Sequence, residues 1–198
     1  MTKIPSIIAA LWGVLLVGGQ AWMMREAFTP AETVEAIPMW PKETCLAHDS
    51  ERLTLVMAIH PKCPCSQASL GELHELLTRH RNELRAFVLM IHPDEQAEQW
   101  LEGSLQSQAQ LLPETTVVQD IGGVEASRFG ATISGETLVY APTRELLFHG
   151  GLTPGRGHFG DNVGQDIIGQ LVREQATSED TCTVYGCPLG TSSLSNAQ

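Results

Sequence analysis

Basic residues are scarce in this chain. Its 198 residues include 12 lysines and arginines against 23 aspartates and glutamates, and the formal net charge at pH 7 is -11. A protein that binds the phosphate backbone of a nucleic acid needs a basic face. The acidic residues here are spread along the chain, so the sequence predicts no nucleic-acid partner.

Three sequence patterns are also missing. The five cysteines do not form the two separated C-x-x-C pairs of a zinc site. No internal repeat is visible, and the stretch G-G-L-T-P-G-R-G-H-F-G-D-N lacks the Lys-Ser/Thr pair of a phosphate loop. The length suits one domain with additional ends. The cysteines are Cys45, Cys63, Cys65, Cys182 and Cys187.

A long apolar stretch is present at the amino terminus. The residues between Lys3 and Arg25 carry no charge, and they number about twenty, the length that a membrane-spanning helix needs. We predict a transmembrane anchor over residues 1–25, with the remainder of the chain on the extracytoplasmic, periplasmic side. A cleaved signal peptide is the alternative, because Gly19-Gln20-Ala21 is an acceptable cleavage site.

The remaining chain divides into a proline-containing linker over 26–44, a domain over 45–175 and a cysteine-containing tail over 176–198. Within the domain, short apolar runs predict strands, and apolar residues at three- and four-residue intervals predict helices. The predicted strands are Leu53–Ile59, Leu84–Ile91, Thr115–Gln119, Thr137–Ala141 and Glu145–His149. The predicted helices are Ser66–Arg81, much of 93–112, Val124–Phe129 and Val163–Glu174.

This order of elements resembles the thioredoxin-like superfamily, in the version found in membrane-anchored TlpA-like and ResA-like proteins. Three segments carry the resemblance over Leu53 to Glu174: T-L-V-M-A-I-H-P-K-C, D-I-G-G-V-E-A-S-R-F-G-A and T-L-V-Y-A-P-T-R-E-L-L-F-H-G-G. The C-P-C-S turn and the G-R-G-H-x-G-D-N loop resemble the RedB-type branch. The resemblance implies an α/β, thioredoxin-like fold: a central mixed sheet with helices on both faces.

Two positions depart from the family pattern. Cys63 takes the place of the attacking cysteine, but Ser66 stands at the second cysteine position, so Cys65 makes the dithiol C-x-C. Gly135 stands where the family has a cis-proline.

The cysteine turn carries the predicted chemistry. A cysteine at a helix amino terminus has its thiolate stabilised by unpaired N–H groups, so Cys63 is the predicted nucleophile and Cys65 its resolving partner. Lys62 and a protonated His60 are expected to add to that stabilisation. A ring closed between cysteines two residues apart is strained and therefore easily reduced, which predicts an oxidising or isomerising couple.

Further residues are expected at the same end of the sheet. His92 and His158 are predicted to lie near Cys63, together with His60, as a proton-transfer set or a metal site. Glu136 is a candidate to exchange the proton of the resolving thiol. A solvated loop side chain is the alternative for each, and Arg156 and Asp161 are expected to brace their loop against each other.

The tail offers a second cysteine pair. Cys182 and Cys187 are predicted either to form a structural disulfide or to act as a second dithiol that exchanges with the first, with Cys187 as the reacting member. Cys45 is left without a predicted partner.

The leading functional prediction is a membrane-tethered thiol-disulfide oxidoreductase that acts on thiol- or disulfide-containing proteins and needs no cofactor. A Sco-like copper protein on the same fold is the alternative, with Cys63, Cys65 and His158 as ligands, because thiolates and imidazole suit Cu(I). A thiol peroxidase is a third reading. His60 weakens it, because that position is a threonine in peroxiredoxins.

Overall fold

The structure is a computed structural model, and it describes residues 3–92, 104–175 and 180–190. These residues form five helices and five strands. The helices are α1 (Lys3–Ala27), α2 (Ser66–Arg79), α3 (Ser104–Gln110), α4 (Val124–Phe129) and α5 (Val163–Val172). The strands are β1 (Leu53–Ile59), β2 (Leu84–His92), β3 (Thr115–Ile121), β4 (Glu136–Tyr140) and β5 (Leu146–Gly151). Residues 93–103 of the predicted helical region 93–112 lie outside the described residues.

The strands form one mixed sheet in the order β3-β2-β1-β4-β5. β1 pairs in parallel with β2, and β2 with β3, whereas β4 pairs antiparallel with both β1 and β5. Parallel neighbours need a crossover connection, and α2 supplies the one between β1 and β2. The central strand β1 therefore ends where α2 begins, which is where the sequence C-P-C lies.

Apolar side chains cover both faces of the sheet, as the alternation of side chains along a strand requires. On one face Leu55, Met57 and Ile59 of β1 pack with leucines of α2 and isoleucines of α5. On the other face Val56 and Ala58 pack with residues of α4 and of the amino-terminal segment. The predicted mixed sheet with helices on both faces is confirmed.

The second half of the predicted linker is part of this packing. Trp40 is buried, with its ring centroid 5.0 Å from that of Phe129 and 5.2 Å from that of Tyr140. Its backbone N–H donates to the carbonyl of Arg144 at 2.9 Å, which ties the segment to the β4–β5 turn. The structure therefore differs from a free tether here, because an indole ring gains more from burial than from solvent.

Helix α1 lies apart from this core. Its residues Ile7–Ala27 form a 21-residue segment with a mean hydropathy of 1.8, and none of its most apolar window is buried within the protein. The helix is long and apolar enough to cross a membrane. A signal sequence has the same length and composition.

Candidate active site

The cysteine turn is built by backbone hydrogen bonds. The Cys63 N–H donates to the carbonyl of His60 at 3.0 Å, and the Ser66 N–H donates to the carbonyl of Cys63 at 3.1 Å. Helix α2 starts at Ser66 with Cys65 as its N-cap, and no side chain caps it. The N–H groups of Ser66, Ala68 and Ser69 in its first turn donate to the backbone carbonyls of Cys63 and Cys65. Cys63 and Cys65 are 5% and 7% exposed, respectively.

A third thiol joins the pair from the tail. The Sγ atoms of Cys63 and Cys187 are 3.1 Å apart. All three sulfur atoms of Cys63, Cys65 and Cys187 lie within 4.8 Å of one another. The structure therefore brings the predicted nucleophile, its resolving partner and one member of the predicted second dithiol into one cluster, which we call the thiol cluster.

The tail segment 180–190, which we call the strap, reaches the thiol cluster by pairing with the loop before β4. The Ser134 N–H donates to the carbonyl of Cys187 at 2.9 Å, and the Leu189 N–H donates to the carbonyl of Thr132 at 2.8 Å. The strap and the loop also share an antiparallel bridge between Pro188 and Ile133. These contacts hold Cys187 in an extended backbone beside the cysteine turn.

The beginning of the strap pairs with the sheet edge. The His149 N–H of β5 donates to the carbonyl of Asp180 at 2.9 Å, and the Cys182 N–H donates to the carbonyl of His149 at 3.2 Å. Gly150 permits this approach, because a Cβ atom there would lie 2.5 Å from the Cys182 sulfur. The Cys182 thiol donates to the carbonyl of Gly151 at 3.2 Å. The two cysteines of the predicted second dithiol thus have different neighbours, because the strap spans two separate docking points.

Within the thiol cluster, Cys63 is the cysteine whose thiolate form is favoured. Burial raises the pKa of the Cys63 thiol, but hydrogen bonds from the Cys187 thiol and from the backbone N–H groups of Cys65 and Cys187 outweigh it and lower that pKa below its ordinary value. Burial and the neighbouring Cys63 charge raise the pKa of Cys65. Burial and the contact with Cys63 raise the pKa of Cys187 to about 12. When Cys63 is ionised, its thiolate can accept a hydrogen bond from the Cys187 thiol.

His60 differs from its predicted role. Burial, and then the charge of Lys62, lower the pKa of the His60 imidazole. Both effects favour the neutral ring, against the protonated His60 that the sequence predicted. Lys62 itself is exposed.

Ser66, at the position of the family's second cysteine, links the turn to the loop before β4. Its hydroxyl donates to the carbonyl of His60 at 2.9 Å and lies 2.8 Å from the hydroxyl of Ser134. The Ser134 oxygen in turn accepts a hydrogen bond from the His60 N–H at 2.9 Å. Ser134 was missed by sequence reasoning, because nothing in its local pattern marks it.

Gly135 allows the loop to approach both β1 and α2. Its φ of +90° favours glycine, and an added Cβ would lie 2.6 Å from the Ser69 hydroxyl. Its N–H donates to the carbonyl of Ala58 at 2.7 Å. The glycine at the predicted cis-proline position is thus required by close packing.

Glu136 does not contact a thiol in the structure. It is fully buried, and one carboxylate oxygen accepts hydrogen bonds from the N–H groups of Thr132 and Ile133 at 2.8 and 2.9 Å. The other oxygen lies 2.6 Å from Nε2 of His149. The sequence offered Glu136 as a candidate proton carrier or as a solvated loop side chain. The structure shows a buried carboxylate that braces the loop that pairs with the strap.

His158, one member of the predicted histidine set, does not join the cysteines. His158 is exposed, stacks on Phe28 at a centroid distance of 5.3 Å and contacts the carbonyl of Arg156 through Nδ1. It is not a member of the thiol cluster, and the group of side chains that could hold a metal ion here consists of Cys63, Cys65 and Cys187. His92 is buried at the carboxyl end of β2, which lies at the same end of the sheet as the cysteine turn.

Arg156 contacts the strap. Its Nη1 atom donates to the carbonyl of Gly186 at 2.7 Å, whereas the predicted partner Asp161 is exposed. Its positive charge also favours the thiolate forms of Cys65 and Cys187. A signal for this docking existed in the sequence: the strap contains Val184 and Leu189, both buried in the structure, within an otherwise polar tail.

Comparisons with known proteins found no matching family model and no matching curated protein. Solved structures do match. A hypothetical protein from Sinorhizobium meliloti 1021 is 16% identical, with a TM-score of 0.57, and the match covers 81% of this chain and 93% of that chain. An uncharacterized conserved protein from Geobacillus kaustophilus is 15% identical, with a TM-score of 0.55 and coverage of 82% and 92%. A thioredoxin-like protein in its oxidized form is 12% identical, with a TM-score of 0.50 and coverage of 71% and 98%. The fold of this chain is therefore thioredoxin-like.

Proposed function

We propose that this protein is a thiol-disulfide oxidoreductase in which Cys63 is the attacking thiolate. The observation that carries the proposal is the position of Cys63 at the start of α2, where hydrogen bonds lower the pKa of its thiol despite burial. Thiolates attack disulfides, and a lowered pKa increases the fraction of Cys63 that is thiolate at a given pH.

The reaction follows from the order of the thiols. The Cys63 thiolate attacks one sulfur of a partner protein's disulfide, which forms a mixed disulfide and releases the other partner sulfur as a thiolate. Cys65 then loses its proton and attacks Cys63 Sγ, which releases the second partner thiolate and leaves a Cys63–Cys65 disulfide. The partner gains two electrons and the protein loses two. The reverse sequence oxidises a partner dithiol.

Cys65 is suited to the second step. The charge of Cys63 is one of the causes that raise the pKa of Cys65. Once Cys63 is bound in a mixed disulfide that charge is gone, so Cys65 ionises more readily. The resolving thiol is thus activated by the attack itself.

The proposal places the domain outside the cytoplasm, with α1 as a single membrane anchor or as a signal sequence. Thiol- or disulfide-containing proteins are the proposed partners, with no cofactor. The apolar character of α1 supports this placement, because both a membrane anchor and a signal sequence direct a chain out of the cytoplasm. Compartments outside the cytoplasm are oxidising, and disulfides persist there. The RedB-type branch stays a prediction.

Loss of Cys63 tests the function. Purified full-length protein in detergent is assayed for reduction of insulin by dithiothreitol, and Cys63→Ser is expected to reduce the rate to that of the uncatalysed reaction. Cys45→Ser is the matched control, because Cys45 is exposed and its N–H faces Glu125 on another part of the domain. Exchange that survives in Cys63→Ser contradicts the proposal.

A Cu(I)-binding protein is a second candidate, and the three-thiol cluster is the observation that favours it. Soft thiolates suit Cu(I). Anaerobic titration distinguishes the ligand sets: loss of one tight equivalent in Cys187→Ala but not in His158→Ala supports the three cysteines. Absence of a tight equivalent in the wild-type protein eliminates this candidate.

A further inference from the structure

The sulfur of Cys187 lies directly beside the sulfur of Cys63. Their sulfur atoms are 3.1 Å apart, and Cys187 is partly buried, with its backbone fixed by the Ser134 N–H. No thiol other than Cys65 and Cys187 joins Cys63 within the part of the chain that the structure describes. An attacking sulfur and its target thus already occupy neighbouring positions.

We propose that Cys187 is a third redox-active cysteine, and that it forms a reversible disulfide with Cys63 that stores the oxidised state of the protein. The proposal rests on the proposed function and extends it, because it assigns the strap a role in that same site. It also makes the strap a cover that must move aside before a partner protein reaches Cys63.

The strap is held as a built structure. Val184 and Leu189 are 3% and 4% exposed, so each end of the segment around Cys187 has an apolar anchor. The carbonyl of Val184 accepts a hydrogen bond from the Ala31 N–H at 2.9 Å, and the carbonyl of Gly186 accepts one from Arg156 at 2.7 Å. Bonds from both sides fix the path of the backbone just before Cys187.

Close packing also fixes the register of the strap. An added Cβ at Gly186 would lie 1.9 Å from the carbonyl oxygen of Ser134 and 3.0 Å from the side chain of Ile133. The strap and the loop before β4 are therefore in direct backbone contact at the residue that precedes Cys187. A slip by one residue would move a side chain into that contact.

The proposed step conserves atoms and electrons. In the oxidised protein, Cys187 loses its proton and its sulfur attacks Cys63 Sγ of the Cys63–Cys65 disulfide. The Cys63–Cys187 bond forms, the Cys63–Cys65 bond breaks, and Cys65 leaves as a thiolate that takes up a proton. The number of disulfides is unchanged, so no external oxidant or reductant is consumed.

Two effects favour this step. The negative charge of the Cys63 thiolate is among the causes that raise the pKa of Cys187. That charge is absent once Cys63 is oxidised. The positive charge of Arg156 continues to favour the Cys187 thiolate. A disulfide between cysteines two residues apart is strained, whereas a disulfide between Cys63 and a docked strap closes a long loop. The exchange therefore relieves strain.

Disulfide mapping tests the proposal on the full-length protein in detergent. The protein is oxidised with excess oxidised glutathione, quenched with acid and N-ethylmaleimide, digested and analysed without reduction. We expect the peptide that contains Cys187 to be recovered joined to the peptide that begins at Cys63. In Cys65→Ser that joined species is expected to persist, which assigns the bond to Cys63.

The tail supplies a matched control. Cys182→Ser, in the same strap, is expected to leave the joined peptide intact, whereas Cys187→Ser is expected to abolish it and leave Cys63 joined to Cys65. Oxidised wild-type protein with Cys63–Cys65 alone, or with Cys182 joined to Cys187, overturns the proposal. The insulin assay of Cys63→Ser remains a separate readout of the proposed function. If Cys63→Ser is inactive but the oxidised wild-type protein lacks the joined peptide, the redox role of Cys187 is rejected and the oxidoreductase function is retained.

Access provides a second measurement. In reduced protein, the rate at which a bulky maleimide labels Cys63 is expected to rise severalfold when Leu189→Ala weakens the strap, with Thr183→Ala as an exposed control in the same segment. Equal labelling rates in the two variants contradict the covering role.

Discussion

Oε1 of Glu136 lies 2.6 Å from Nε2 of His149, and this contact connects the two places where the strap docks. The other carboxylate oxygen of Glu136 holds the N–H groups of Thr132 and Ile133, and that loop pairs with the end of the strap. The backbone of His149 pairs with the beginning of the strap. A fully buried carboxylate with these partners organises the loop next to the thiols.

Removal of this carboxylate is predicted to destabilise the domain. Glu136→Ala leaves the buried N–H of Ile133 and the partly buried N–H of Thr132 without their acceptor, and the partly buried His149 imidazole without its partner. We expect the free energy of unfolding to fall by about 3 kcal/mol. Urea denaturation followed by circular dichroism measures it. The control is Glu145→Ala, an exposed carboxylate near the same hairpin, and an equal effect of the two changes would remove the bracing role.

The pH dependence of alkylation is predicted to differ among the cysteines. A thiol with a lowered pKa holds thiolate at a lower pH, so iodoacetamide is expected to modify Cys63 below the pH range of an ordinary thiol. Cys187, with a pKa of about 12, is expected to stay unmodified at neutral pH in the reduced protein. Mass spectrometry of peptides alkylated at a series of pH values gives both profiles.

A pair of variants isolates the hydrogen bond that lowers the pKa of Cys63. Cys187→Ser keeps a donor beside the Cys63 sulfur, whereas Cys187→Ala removes it. The Cys63 alkylation profile is therefore expected to lie at higher pH in Cys187→Ala than in Cys187→Ser. Coincident profiles would show that the thiol–thiol contact does not set this pKa.

Trp40 is predicted to matter for stability although it lies before the domain suggested by the sequence. Trp40→Ala removes a buried indole that contacts Phe129 and Tyr140, and a loss of about 3 to 5 kcal/mol is expected. Met39→Ala is the neighbouring control, because Met39 is 49% exposed. Chemical denaturation of the two variants measures the difference, and similar midpoints would argue against burial of the indole.

Gly186→Ala is predicted to detach the strap. The added methyl group would collide with the Ser134 carbonyl, so the hydrogen bond from the Ser134 N–H to Cys187 is expected to break. Hydrogen exchange of the Ser134 amide is expected to accelerate strongly. Thr183→Ala, at an exposed position of the strap, should leave that amide protected. Unchanged exchange of the Ser134 amide in Gly186→Ala would show that Gly186 does not pack against the loop before β4.

The sequence predicted the fold more completely than the site. The apolar run Leu53–Ile59 and the helix beginning at Ser66 were recognisable because their patterns are local and periodic. The burial of Trp40 was not, because its partners are distant in sequence: Phe129 and Tyr140 meet it only after the sheet has formed.

The same distinction applies to the thiols. Cys63 and Cys65 were identified from the turn between a strand and a helix, a local feature. Cys187 was paired with its neighbour in sequence, Cys182, either as a structural disulfide or as a second dithiol that reaches the first pair through Cys187. Its contact with Cys63 spans 124 positions of the chain, and it depends on backbone pairing with the loop before β4, which no spacing rule encodes.

The segment just after α1 connects the end of that helix to the strap. The carbonyl of Ala27 accepts a hydrogen bond from the Arg156 N–H at 2.8 Å, and the Ala31 N–H bonds to Val184 of the strap. An extended chain covers at most about 3.6 Å per residue, so the stretch from Ala27 to Ala31 reaches no farther than about 14 Å. If α1 is a membrane anchor, as proposed, the strap is tied to the chain within that distance of the end of the anchor. Movement of the strap away from Cys63 would then be limited by its bond to the segment that leaves the membrane.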